Sequence, residues 1–62
     1  MKYVIFFPRG NDQEYYVARG VNGVGFRMVK GLDDDVMRFD TAREAYDFGG
    51  DHELYNARVG VR

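Results

Sequence analysis

The sequence predicts a small α+β domain, a mainly antiparallel sheet with one short helix across a single face. Three observations carry that prediction. Asn22-Gly23 stands between apolar residues, and Asn-Gly supplies the two positive φ angles of a type I′ hairpin turn. Thr41-Ala42-Arg43-Glu44 has the Ser/Thr-x-x-Glu spacing of a capping box at a helix start. Tyr55, Ala57, Val59 and Val61 alternate with polar or small residues, the pattern of a half-buried strand.

Each element follows in order. Tyr3 to Phe7 is rich in β-branched and aromatic residues and reads as the first strand. Pro8-Arg9-Gly10-Asn11-Asp12 supplies turn chemistry after it. The Asn22-Gly23 turn then fixes a register in which Arg19 faces Phe26, Val17 faces Met28, Val21 faces Val24 and Tyr15 faces Lys30. Side chains alternate across a strand, so Tyr15, Val17, Val21, Val24, Phe26 and Met28 share one face and form the expected core. Tyr16, Ala18, Arg27 and Val29 fall on the other. Lys30 to Asp35 is a polar loop, and Val36 to Phe39 a short strand. After the Thr41 cap, Ala42, Ala45, Tyr46 and Gly49 recur on one helical face, and Gly49-Gly50 is expected to end the helix. The order is β-β-β-β-α-β in a single domain over residues 1–62.

At 62 residues and 7.2 kDa, such a domain buries only about 60% of its unfolded surface. There is no Cys to staple it, and the only His is His52. No Ser or Cys is present and Thr41 is the only Thr, so hydroxyl or thiol nucleophiles are almost excluded. The composition argues against an enzyme. No catalytic residue, metal site or cofactor is assigned. Asp33-Asp34-Asp35 reads as a solvated loop because adjacent carboxylates on an extended chain diverge and the EF-hand spacing is missing. Asp51-His52-Glu53 reads as an exposed turn. Gly20-Val21-Asn22-Gly23 matches the GxxG of KH domains but lies in a hairpin, not between helices. The opening apolar run ends at Pro8-Arg9, too short for a signal peptide, and no stretch is long enough to span a membrane. The expected location is cytoplasmic.

The net charge of −1 hides an asymmetry. Residues 33–53 hold eight acids against Arg38 and Arg43, whereas the hairpin and chain ends are basic. Asp33, Asp34, Asp35, Asp47 and Asp51 are therefore expected to form an acidic rim that steers a partner. The sheet face away from the helix is expected to be open, with Tyr16, Arg27, Val29 and Phe6 as the partner-binding residues. Aromatic and apolar side chains mixed with Arg make an interface centre. Self-association through that face is a further expectation, as is nucleic-acid binding through the basic hairpin.

Two resemblances bear on this. Across Tyr15 to Phe48, Arg19-Gly20-Val21, Phe26 and Phe39-Asp40-Thr41-Ala42-Arg43-Glu44-Ala45 resemble the three-strand-plus-helix DNA-binding domains of plant ethylene-response factors and the arm-binding domains of tyrosine integrases. That resemblance implies DNA contacts by Arg19, Arg27 and Lys30. Over the whole chain, the Met1-Lys2-Tyr3-Val4-Ile5 start, the Tyr15-Tyr16-Val17 strand, the Arg38-Phe39-Asp40-Thr41 cap and the short last strand resemble small bacteriophage-encoded accessory proteins. This second resemblance implies a viral, non-enzymatic protein that binds a host protein and inhibits or redirects it. It is the preferred expectation.

Overall fold

The hairpin register expected from Asn22-Gly23 is the one the chain adopts. In the computed structural model, which describes residues 2–11 and 13–62, β2 (Glu14–Arg19) pairs antiparallel with β3 (Phe26–Val29), Arg19 opposite Phe26 and Val17 opposite Met28. Asn22 and Gly23 both have positive φ, 59° and 76°, and the Val24 N–H donates to the Val21 carbonyl at 3.3 Å. The sheet is completed by β1 (Tyr3–Pro8) and β4 (Arg58–Val61) in the order β3-β2-β1-β4, antiparallel throughout. Met1 and Asp12 lie outside the described residues, so the expected Pro8–Asp12 turn is seen only in part. There Gly10 and Asn11 take positive φ, and the Gln13 N–H donates to the Gly10 carbonyl.

The helix α1 (Ala42–Asp51) starts where the capping box places it, with the Glu44 N–H donating to Thr41 Oγ1 at 3.2 Å. Its end differs from expectation. Gly49 and Gly50 are helical, and the left-handed residue is Glu53, φ 58°. The Leu54 N–H reaches the Gly49 carbonyl at 2.8 Å and the Glu53 N–H the Gly50 carbonyl at 3.2 Å, the paired bonds of a Schellman motif. The reversal comes three residues after Gly50 and drops Leu54 onto the core.

Two further expectations are corrected. Val36 to Phe39 is not a strand. β1 and β2 pair at Phe6–Pro8 and then diverge, and this segment wedges into the fork through two single bridges, Val36 to Ala18 and Phe39 to Tyr3. Its backbone bonds both sides: Met37 N–H to the Val17 carbonyl, and Phe39 with Tyr3 in both directions. The closing strand begins at Arg58 rather than Tyr55, because Leu54–Ala57 is a turn closed by the Ala57 N–H on the Leu54 carbonyl.

The core sits on both sides of the sheet. Under the helix, Ile5, Val17 and Ala45 are buried, with Phe26, Phe39, Phe48, Leu54 and Val59 packed around them. Val21 and Val24, expected in this core, are 74% and 78% exposed, because α1 packs on β1 and β4 and the hairpin tip extends past it. On the opposite face Val4, Phe6, Tyr16 and Val36 form a second buried cluster with Val29 against it. Among the described residues no helix is long and apolar enough to cross a membrane.

Candidate functional site

The sheet face expected to be open is closed by its own side chains. Phe6 is 7% and Tyr16 8% exposed. Arg62, from the far end of β4, lies over the Phe6 ring at 4.2 Å and grips Glu14 through two bonds, Nε to Oε1 at 3.0 Å and Nη2 to Oε2 at 2.9 Å. The Tyr16 hydroxyl donates to the same carboxylate at 2.7 Å. These contacts hold the Glu14 carboxyl down at about 2, the arginine's hydrogen bond first and the tyrosine's second, and the bond to Glu14, with burial, raises the Tyr16 phenol. Of the four residues expected to bind a partner, Phe6 and Tyr16 are therefore buried, while Arg27 and Val29 stay partly exposed.

The charges also redistribute. Arg27 donates to Asp35 Oδ2 at 2.9 Å, and Arg19 approaches Oδ1 at 3.5 Å while donating to the Asp34 carbonyl at 2.8 Å. Two of the three bases considered for nucleic acid thus converge on one of the acids of the expected rim, and Lys30, exposed just past the end of β3, makes no ion pair among the described residues. Asp33 turns inward on its loop to accept the Asp35 N–H at 2.9 Å. Asp47 and Asp51 lie exposed on α1, so the five acids occupy two elements rather than one rim. His52 is exposed, as expected. Its ring stacks on Phe48 at 4.1 Å, and Nδ1 is 3.0 Å from the Phe48 carbonyl. Among the described residues no group of three His, Asp or Glu side chains is placed to hold a metal ion.

The surface with the composition of an interface lies elsewhere, where α1 crosses β4. A groove there is floored by Ile5, Ala45, Leu54, Ala57 and Val59. Gly49 and Gly50 leave the helix wall low, since a Cβ at either would meet nothing within 4 Å. Two tyrosines flank it: Tyr46 on the helix, 63% exposed, and Tyr55 on the Leu54–Ala57 turn, 79% exposed. A second hollow, by Tyr15 and Phe26, is partly roofed by Arg9, whose guanidinium sits 4.7 Å from the Tyr15 ring centre. Sequence reasoning missed Tyr46 and Tyr55 by assigning both to buried faces. Asn56 beside Tyr55 was the available signal of a turn.

Fold and groove together define a small α+β domain whose exposed aromatic surface sits beside an open sheet edge. Comparisons with protein-family profiles, curated proteins and solved structures find no match.

Proposed function

We propose that this chain is a non-enzymatic protein-binding module that acts by covering a surface of another protein. The partner implied by its phage-like resemblance is a host protein, inhibited or redirected by being covered. The observation that carries this reading is the pair of exposed tyrosines flanking the apolar groove of α1 and β4. Tyr is enriched at interface centres because it supplies large rigid contact area with a polar tip. A domain this small has little aromatic surface to spare, and these two rings are left out of its core. The pairing of Arg19 and Arg27 with Asp35 weighs against nucleic acid, since phosphate binding needs uncommitted positive charge.

The test is a pulldown with the tagged protein from nuclease-treated bacterial lysate, washed at low and then high salt. A single protein retained through high salt, and lost with Tyr55→Ala or Tyr46→Ala, is the expected result. Each substitution should weaken the complex by about 1–3 kcal/mol while leaving the fold intact. Retention only without nuclease, and only at low salt, would replace this reading with nucleic-acid binding.

A further inference from the structure

The groove borders an unpaired sheet edge, and the ladder shows which backbone groups that edge offers. Tyr3 and Phe39 exchange both their hydrogen bonds, at 2.9 and 2.8 Å, on the β2 side of β1. Backbone groups alternate in direction along an antiparallel strand, so Val4 and Phe6 turn theirs to β4, where they meet Gly60 and Arg58. The N–H and C=O of Val59 and the N–H of Val61 consequently point outward from the sheet, whereas the Val61 carbonyl already accepts Arg62 Nη1 at 3.0 Å. The side chains of these two valines share the helix-side face with the groove, and Val59 lines it. Arg58 and Arg62 project from the other face. Arg62 is held by Glu14, whereas Arg58 is exposed and makes no hydrogen bond or ion pair among the described residues.

Building on the protein-binding reading above, we infer that the β4 edge receives an extended segment of the partner as a fifth strand, alternating apolar with acidic side chains. Its backbone would bond both outward groups of Val59 and the Val61 N–H. Every second side chain would then lie on the helix side, beside the valines and between Tyr46 and Tyr55. The intervening ones would lie on the opposite face, across from Arg58 and next to Arg62. Strand addition takes affinity from main-chain bonds and specificity from alternate side-chain sites, and opposite charges directly across a ladder are favourable. A second copy of this chain is a poorer occupant. Pairing β4 with its counterpart would crowd two Arg58 side chains, and the two Arg62 just past the strands, onto one face.

The experiment uses a labelled hexapeptide alternating valine and glutamate. Its controls are the same residues in two blocks and an alternating valine–lysine peptide, all read by fluorescence anisotropy. Amide exchange at Val59 and Val61 is followed with and without peptide. The alternating glutamate peptide should bind best and slow exchange at both valines. Val61→Pro removes one outward donor without touching the β1 ladder and should weaken binding about tenfold or more. Arg58→Glu, on an exposed side chain, should shift preference to the lysine peptide, and it carries the test alone should the proline variant fail to fold. Equal binding of the block peptide, no binding at millimolar concentration, or no shift with Arg58→Glu would overturn the inference. Concentration-dependent self-association lost with Val61→Pro would overturn it in favour of a second copy. A pulldown partner that needs Tyr46 and Tyr55 but ignores Val61→Pro would leave the groove standing and remove strand addition. A partner indifferent to all three would remove both.

Discussion

Replacing Gly49 and Gly50 by alanine should make the domain more stable, and the size of the gain can be worked out from the helix. Both residues are helical and neither takes a positive φ. A Cβ at either position meets nothing within 4 Å, so no steric cost opposes the change. Glycine within a helix is worse than alanine by about 0.5–1 kcal/mol, chiefly because the unfolded glycine samples more conformations. The pair should therefore add roughly 1–2 kcal/mol. For a domain of this size each kcal/mol moves the melting temperature by about 4–8 °C, so the double variant should melt roughly 5–15 °C higher. Thermal and urea unfolding followed by circular dichroism would measure it, with the single variants as an additivity check. A melting temperature that stays put or falls would refute the reasoning, because it would mean the glycines serve the native backbone. The two methyls would also stand in the groove wall. A more stable double variant with weaker partner binding is the combined expectation, and unchanged affinity would clear this wall of a docking role.

Other substitutions test other joints of the fold. Glu53→Gly relieves a left-handed non-glycine residue and should stabilise by about 1 kcal/mol in urea unfolding, and a loss would contradict the Schellman geometry. Gly20→Ala should cost roughly 2–3 kcal/mol, because its Cβ would stand 1.8 Å from the Val24 carbonyl oxygen and the turn would have to open; a neutral result would sink that account. The Glu14 carboxyl falls from its ordinary 4.5 to about 2 in the folded chain. Its stabilisation is therefore present above pH 4.5 and is lost as pH falls from there toward 2. Glu14→Gln should flatten the stability–pH curve across that window, and an unchanged slope would show that the Arg62 contact adds nothing.

How much of this was legible in the sequence depended on the reach of each interaction. The hairpin register and the Thr41 cap, and with them the α+β class, were legible because each is set within a few residues, Asn22-Gly23 fixing the register and Thr41 with Glu44 the cap. The fork that admits Val36–Phe39 was not, since it depends on β1 and β2 parting, and their bonds to the wedge cross long stretches of chain. The burial of Phe6 and Tyr16 was missed for the same reason: Arg62 and Glu14, which close that face, stand 48 residues apart. Tyr55 was misplaced because its alternation with Ala57 and Val59 continues past the true start of β4 into a turn. The exposed groove was missed through that misplacement and because the glycines are helix wall, not helix end.

The pairing of β1 with β4 also fixes how this domain yields to force. Tyr3 lies opposite Val61, so tension applied through the two chain ends acts at the same end of one ladder. The load falls on a single hydrogen-bonded pair at a time, a zipper pulled from its open end, instead of being shared by the whole strand as in a sheared pair. The first element to resist would be the arginine clasp, which runs from β4 over the Phe6 ring to Glu14 on β2. Once it slips, β4 can peel away and the apolar face of α1 follows. A protein built this way can be dismantled with little effort by a pull on both ends.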